Sequence, residues 1–404
     1  MSELRKWVCL LAVWAVAVLP ARSQIDPVKR QLFQFGYNQP LEGRAPLSGY
    51  AFYYRNQPNF LHTNLTLRLA VAPVYLDSEL GLTGALGPHT DLGLGLAGGG
   101  FADSHAEVRG GEFLRAESFL GHGGEASLSI YHCFNPGKLV PLNAVLRGSM
   151  RFSTYANDSD TDPAFSVPDN RLNFLLRTGL RWGGQEPLLF PSLAMEISVW
   201  YEGQFRNGAG AYGFADDRRV EPNSHLFWTR ALFTYTLPDA GHNFYISVTA
   251  GTSVNADRFS AYRLGAVLPL VSEFPLALPG YYFQEISAER FVLAGGNYTL
   301  PLDRKKRWNL SAVVTTAVVD YLPGLEQPGH WHTGVGGGIL YKSPTGFLKI
   351  AAGYAYGVDA IRDGERGAHS VGVLMQLDWE RTAALIYPES PIRWRGVQRI
   401  LGAL

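Results

Sequence analysis

Apolar and polar side chains alternate along residues 368–379, close to the C-terminal end of the chain. Because strand side chains point to opposite faces in turn, this alternation predicts a β-strand with two different faces. An apolar face opposite a small or polar face is typical of a strand with lipid on one side and water on the other. The apolar face carries Val371, Val373, Met375, Leu377 and Trp379, and the other face carries Ser370, Gly372, Leu374, Gln376 and Asp378.

The same two-residue period recurs earlier in the chain, in residues 64–71, 142–153, 171–182, 193–204 and 243–250. These segments have about the length of a strand that crosses a bilayer at a tilt, roughly ten residues. Residues that favour turns separate them, as short turns in some places and as long polar loops in others. We therefore predict an all-β protein, a single transmembrane antiparallel β-barrel over residues 24–380.

The periodic segments indicate about sixteen strands. The alternation of long and short connections fails between residues 183 and 257, which indicates a misplaced strand there and leaves fourteen as the alternative. A secreted β-propeller or β-sandwich also has many short strands, but the uniformly apolar face favours the barrel. The segments are 46–55, 62–73, 89–101, 106–118, 124–134, 141–154, 171–182, 191–204, 224–236, 242–253, 258–268, 285–301, 306–319, 331–341, 345–356 and 368–379.

Connection lengths also predict the orientation of the last strand. Residues 358–367 have the composition of a long external loop, and residues 342–345 that of a tight periplasmic turn. The last strand should therefore run inward, end in the periplasm at Trp379, and close the barrel against residues 48–55.

The two ends of the chain predict export and a helical tail. Arg5 and Lys6 precede the apolar run 7–19 and a small-residue cleavage site, the three-part pattern of a signal peptide over residues 1–23. An uncleaved membrane helix is the alternative, but the run is shorter than the roughly 20 residues that a span needs. Residues 381–404 predict an amphipathic tail.

Composition agrees with a membrane barrel and gives no sign of a nucleic-acid or acidic partner. Charged residues make up 17% of the chain, below the roughly 25% of an average soluble domain. Lys plus Arg equal Asp plus Glu at 35 each, so the net charge gives no sign of nucleic-acid binding. Cys133 is the one cysteine left after signal cleavage, so we expect no internal disulfide. Lipid of the cell outer membrane is the expected partner.

A distinctive stretch runs through residues 262–302. It contains Arg263-Leu264-Gly265-Ala266, then Leu278-Pro279-Gly280-Tyr281, and it ends in Tyr298-Thr299-Leu300-Pro301-Leu302. This order of motifs resembles the late-barrel region of Omp85-type outer-membrane proteins, the bacterial surface antigen D15 group. The resemblance implies a sixteen-stranded barrel in which Arg263, Pro279, Gly280 and Tyr281 belong to a loop motif.

Two departures limit what this resemblance implies about function. Pro279 stands where the family has an arginine, so the charge that this loop carries into the lumen is absent and a lumen-anchored loop cannot be assumed. The periplasmic POTRA repeats of the family are also missing, since strand-like sequence begins soon after the predicted signal. The resemblance therefore carries over the barrel and little of the family's insertase or secretion activity.

The last strand also resembles the assembly signal that the outer-membrane barrel insertion machinery reads. That signal has the order polar-x-Gly-x-x-apolar-x-apolar, which Ser370, Gly372, Met375 and Leu377 match. An ordinary amphipathic strand is the alternative interpretation. If the signal is genuine, the insertion machinery is a partner of this chain.

Charged residues on the polar strand faces are the best candidate site. If neighbouring strands carry them, they face one lumen, where charges can select solutes in a pore. Alternatively, they pair with one another and fill the lumen. The candidates are Arg68, Arg147, Arg151, Arg177, Arg181, Glu196 and Glu202.

Catalytic and metal chemistry find little support. His330 and His332 flank Trp331 and would need further ligands to bind a metal, so an aromatic loop end at the membrane interface is the simpler interpretation. No serine-hydrolase or zinc-protease motif is present, and we expect no catalytic residue, cofactor or metal. A lipase assembled from separate strands remains an alternative. We predict a non-catalytic barrel for envelope structure, assembly or export, with a passive porin-like channel as the other hypothesis.

Overall fold

A computed structural model describes residues 25–386, with the backbone alone for residues 383–386. The predicted signal peptide and most of the predicted tail lie outside these residues. The barrel strands are β1 (Arg30–Pro40), β2 (Ser48–Pro58), β3 (Leu65–Ala72), β4 (Tyr75–Leu82), β5 (Thr90–Gly99), β6 (Phe119–Cys133), β7 (Leu142–Asn157), β8 (Arg171–Gly184), β9 (Leu193–Arg206), β10 (Asn223–Thr236), β11 (Asn243–Val254), β12 (Ile286–Pro301), β13 (Trp308–Tyr321), β14 (Trp331–Lys342), β15 (Leu348–Arg362) and β16 (Glu365–Asp378). A helix, α1 (Trp379–Ile386), follows β16.

The sheet closes into a barrel. Each strand pairs antiparallel with the next, and β1 pairs with β16, from Leu32 opposite Asp378 to Pro40 opposite Ser370. The sheet has 17 strands, one of which is the short loop strand Tyr262–Leu264, so the barrel wall has sixteen. The predicted antiparallel barrel of sixteen strands is confirmed, and the alternative of fourteen is wrong.

The predicted count is right because two missed strands are offset by two predicted strands that are loops. The sequence pattern misses β1, where apolar Leu32 on the inner face sits beside the outer Phe33 and blurs the period of two. It also misses β4, which has only 8 residues and follows β3 after a two-residue turn without glycine or asparagine. The strands between residues 183 and 257 are present as predicted, and the alternation of connections fails there because the next predicted strand, 258–268, is a loop.

Two predicted strands are loops between longer strands. In residues 106–118, Gly110 and Gly111 both have positive φ and fold the chain into a small hairpin, Val108–Arg109 against Glu112–Phe113. In residues 258–268, only Tyr262–Leu264 pairs, with the start of β12.

The last predicted strand is present as β16, but its neighbours differ from the prediction. Residues 358–367 are no long loop, because β15 continues to Arg362 and β16 begins at Glu365. Asp363 and Gly364 have φ of 51° and 80°, the left-handed pair that a tight hairpin turn needs, and Asp-Gly is its usual sequence. The partner that closes the barrel is β1, not residues 48–55.

Burial separates the two faces of the wall. On β16, Ser370 and Gln376 are buried inside, whereas Val371 is exposed on the outside. Gln34 of β1 donates a hydrogen bond from Nε2 to Gln376 Oε1 at 3.0 Å inside the barrel. Aromatic rings border the outer face near the short turns, where Phe33 contacts Trp379 with ring centroids 5.8 Å apart. Short turns mark the periplasmic end of such barrels.

Candidate functional site

The connection between β11 and β12, residues 255–285, enters the barrel lumen; we name it the lumen loop. Its tip, Glu273 and Phe274, contacts the inner wall of β8, β9 and β10. Its root lies against β14 and β15, where Tyr281 is fully buried and its hydroxyl is 3.2 Å from His332 Nδ1. Since β8–β10 and β14–β15 lie in different parts of the closed wall, the loop crosses the lumen between them.

The carboxylate of Glu273 contacts two arginines of β8. Oε1 accepts a hydrogen bond from Arg181, and Oε2 is 3.6 Å from Arg177 Nη1. Arg230 of β10 donates from Nη1 to the main-chain carbonyl oxygen of Glu273 at 2.9 Å. Three guanidinium groups therefore surround one loop residue and hold both its side chain and its backbone.

The ring of Phe274 packs between two tryptophans. Its centroid is 5.3 Å from that of Trp200 and 5.5 Å from that of Trp228, both at steep interplanar angles. The guanidinium of Arg230 lies over the same ring, 4.5 Å from its centroid. Edge-to-face aromatic contacts and a cation–π contact therefore both stabilise the Phe274 ring in this position. We name the wall residues Arg177, Arg181, Trp200, Trp228 and Arg230 the docking pocket.

Strand register builds the docking pocket. Arg177 and Arg181 are separated by Gly179 on the inner face of β8, and Gly179 pairs directly with Trp200 of β9. A side chain at 179 would overlap the indole ring of Trp200, so the glycine gives the ring its place on the wall. The period-two rule puts all these side chains on one face.

Two glutamates of β9 neutralise arginines of the docking pocket. Glu202 is 2.6 Å from Arg177 Nη2, and Glu196 is 2.7 Å from Arg230 Nη2. Glu196 is only 1% exposed. Buried charges need such partners, because an unpaired charge away from water is strongly unfavourable. The structure thus brings four predicted site residues, Arg177, Arg181, Glu196 and Glu202, into one cluster.

The other predicted arginines face the lumen elsewhere. Arg68 of β3 pairs with Asp77 and Glu79 of β4 at 3.2 and 3.1 Å. It is separate from the docking pocket and belongs to the opposite part of the wall.

Arg147 and Arg151 of β7 have looser partners. Arg147 donates to Ser127 Oγ at 2.9 Å and is 3.6 Å from Glu125. Arg151 is 3.5 Å from Asp103 and 3.7 Å from Glu125. Arg147 also lies directly opposite Arg177 across the β7–β8 pair, so the two sets of charges share one lumen.

Sequence reasoning missed the loop tip and the aromatic half of the docking pocket. The absence of the family's arginine at Pro279 is real, but the lumen loop is anchored nonetheless. Glu273 brings a charge of opposite sign to arginines on the wall. A signal for this pocket was present in β9, where Trp200 interrupts an otherwise polar or small inner face.

The loop-motif residues lie at the root of the lumen loop. Gly280 has a φ of 85° and approaches β15 so closely that a side chain there would overlap the backbone of Gly357. Pro279 similarly lies against Gly334 of β14. Arg263 points the other way and donates to the carbonyl oxygen of Ala106 at 2.9 Å. These contacts fix the root and leave the tip as the part that reaches across.

A second segment crosses the periplasmic mouth. The β8–β9 turn, residues 185–192, contacts strands half a barrel away: Leu189 N donates to Gln376 Oε1 at 2.9 Å. Lys349 of β15 donates from Nζ to the carbonyl oxygen of Leu189 at 2.6 Å, and Arg30 is 2.9 Å from Glu186. We name this segment the mouth turn. It covers the pairing of β1 with β16 from inside.

Loops cover the external mouth. Glu107, between β5 and β6, accepts from His105 Nε2 at 2.8 Å and is 3.2 Å from Arg258 of the lumen loop. Burial acts to raise the pKa of Glu107, but the bond to His105 and the charges of His105, Arg258 and Arg218 outweigh it and lower this pKa to about 2. Burial also acts on His105, where it disfavours the protonated ring and so lowers the pKa. Ionised Glu107 therefore holds the loops together at neutral pH.

The predicted assembly-signal residues all lie in β16, at the pairing with β1. Ser370 pairs with Pro40, Gly372 with Asn38, Met375 with Phe35 and Leu377 with Phe33. Ser370 and Gly372 are on the inner face, and Met375 and Leu377 are on the outer face.

His332 and Trp331 behave as wall residues. The Trp331 ring is 64% exposed on the outer face, and His332 is buried between Tyr281 and Tyr321. Among residues 25–386, no three His, Cys, Asp or Glu side chains are grouped so that they could hold a metal ion. Cys133 is a free, buried thiol.

Comparison with known proteins supports the fold. No protein-family model and no curated protein sequence matches the chain. Among solved structures, CdiB from Acinetobacter baumannii is similar, with a TM-score of 0.56 and 11% identity over 87% of this chain and 60% of that one. BamA from Haemophilus ducreyi lacking POTRA domains 1–3 gives 0.53 and 12%, over 86% and 70%.

CdiB from Escherichia coli is a third similar structure, with a TM-score of 0.51 and 11% identity over 86% of this chain and 63% of that one. The chain thus spans less than two thirds of either CdiB. At identities of 11–12%, the likeness concerns the fold alone. This chain has the fold of an Omp85-type outer-membrane β-barrel.

Proposed function

We propose that the chain is a non-catalytic outer-membrane barrel of a Gram-negative envelope, kept closed by its own segments, which acts in envelope assembly or export. The predicted signal peptide would deliver it to the periplasm, and the barrel insertion machinery would place it in the membrane. The single observation that carries the proposal is the docked tip of the lumen loop. A loop held across the lumen by three arginines and two tryptophans obstructs the path that passive flow would need.

The mouth turn supports the same conclusion independently. It puts a second obstacle in series with the lumen loop, at the other end of the barrel. Flow through obstacles in series requires that both move. We infer that opening is a regulated event and not the ordinary state.

A passive porin-like channel is the second candidate. It is favoured by the inward arginines, because Arg177 remains 34% exposed and Arg147 and Arg151 are partly exposed to the same lumen. Such a row of guanidinium groups would attract anions into a pore.

Planar bilayers distinguish the two candidates. Purified chain that folds as a heat-modifiable barrel should give no steady conductance. Steady, anion-selective conductance that Arg177→Gln with Arg181→Gln removes would instead establish the porin and contradict our proposal. Arg366→Gln, on the exposed β15–β16 hairpin, is the matched control and should leave either behaviour unchanged.

A further inference from the structure

We propose that the docking pocket is a recognition site for an extended peptide segment in which an acidic residue precedes an aromatic one, and that Glu273 and Phe274 occupy it as an internal substitute. This inference deepens the proposed role in assembly or export, on which it rests, by naming the class of ligand. The evidence is the chemistry that the loop tip already satisfies.

The docking pocket contacts three chemical groups of its occupant. Arg177 and Arg181 contact the carboxylate, the two tryptophans hold the ring, and Arg230 donates to a main-chain carbonyl. A small aromatic acid would supply the first two features but not the third. The carbonyl contact therefore indicates a peptide.

Hydrogen-bond donors remain unused in the same place. The indole Nε1 atoms of Trp200 and Trp228 are buried and have no acceptor among the described residues. Buried donors normally find partners, so these two indicate a ligand with more acceptors than the loop tip offers. Further carbonyl oxygens of a longer peptide segment would supply them.

The tip can leave while the root stays. Glu273 is 44% exposed at its side chain, whereas Leu278 and Tyr281 at the root are fully buried. Because the tip is tethered, its effective concentration at the docking pocket is high, on the order of millimolar. A competing peptide must therefore be tested against a chain whose own tip no longer binds.

The test measures fluorescence anisotropy of a labelled peptide with the sequence of residues 271–276, Val-Ser-Glu-Phe-Pro-Leu. The full-length chain in detergent micelles is compared with its Glu273→Gln/Phe274→Leu variant. The peptide should bind the variant at least about tenfold more tightly than it binds the unaltered chain, since the tip no longer competes. A control peptide with Gln-Leu in place of Glu-Phe should bind at least about tenfold more weakly.

A third substitution assigns the binding to the docking pocket. Arg230→Gln in the tip variant should weaken binding at least about tenfold, while Arg366→Gln in the same background should not change it. Heat-modifiable mobility in gels confirms that each variant is folded. If Arg230→Gln disturbs folding, Trp228→Phe, which keeps the ring and removes the indole donor, replaces it and should also weaken binding.

Three outcomes would overturn the inference: no binding to the folded tip variant, equal binding of the two peptides, or binding that ignores Arg230 and Trp228. None of them depends on conductance. A closed barrel that binds no peptide contradicts this inference alone, whereas an unaltered chain that conducts steadily contradicts the proposed function.

Discussion

Gly179 and Trp200 lie directly opposite each other in the β8–β9 pair, and the indole ring occupies the space above the glycine. This relationship places Trp200 between the two arginines of β8. The whole docking pocket therefore depends on the absence of one side chain.

Gly179→Ala should displace the Trp200 ring and loosen the tip of the lumen loop. Overpacking of this kind costs about 1–3 kcal/mol. Urea unfolding in micelles should show a lower midpoint, and Phe274 should lose its contact with the ring. Gly148→Ala is a matched control, because a methyl group there meets only an ordinary contact with Phe174. Equal midpoints for the two variants would contradict the role of Gly179.

Glu196→Ala should destabilise the barrel more than any exposed glutamate substitution. It removes the buried partner of Arg230, and breaking a buried ion pair from one side costs about 3–5 kcal/mol. The free energy of unfolding is the measurement, with Glu365→Ala on the exposed hairpin as control. A difference below about 1 kcal/mol, the value typical of exposed pairs, would show that Arg230 finds another partner.

Acid should open the external loops in a range set by Glu107. Its pKa is about 2 in the folded chain against an ordinary 4.5, so its carboxylate stabilises the fold above pH 4.5, and this contribution fades as the pH falls from 4.5 to 2. The pKa of His105 is lowered from 6.5, so its contribution fades below pH 6.5. Pepsin cleavage of residues 100–118, measured relative to cleavage of an unfolded substrate at the same pH, should accelerate below pH 4.5. The Glu107→Gln variant should be cleaved rapidly over the whole of this pH range. If its pH profile equals that of the unaltered chain, Glu107 does not set the range.

The lumen loop and the mouth turn should act as obstacles in series. Gln376→Leu removes the acceptor of Leu189 N and the partner of Gln34, which should release the mouth turn. In planar bilayers neither this variant nor Glu273→Gln/Phe274→Ala should conduct steadily, but their combination should. Steady conductance of the combination that merely equals the sum of the two single effects would argue against a series arrangement.

Met375→Arg should prevent insertion of the barrel. Met375 is on the outer face of β16, where an arginine facing lipid costs from about 0–1 kcal/mol at the interface to about 2–4 kcal/mol at the bilayer midplane. Leu374→Arg, one position away on the inner face, is the control and should still give the heat-modifiable band. Comparable insertion of both variants would remove the predicted assembly signal.

The sequence was sufficient for what depends on period two. Alternation predicted that Arg177, Arg181, Glu196 and Glu202 share one face, because each residue's face follows from its neighbour's. It could not predict Glu273, whose position depends on where a long loop folds, and loops have no period. The Asp363-Gly364 dipeptide alone could have predicted the tight turn. The run of polar residues around it made the segment look like a long loop instead.

The mouth turn has a consequence for how the chain closes on itself. Gln34 and Gln376 must meet across 342 positions, and the entropy lost on closing a loop grows with its length. The turn lies between them: Gln34 reaches Pro187 across 153 positions, and Leu189 reaches Gln376 across 187. Residues in the middle of the chain thus bind both terminal strands, each across a shorter sequence separation than 342 positions. Each of these shorter loops costs less entropy to close, and together they bring the two terminal strands to the same place.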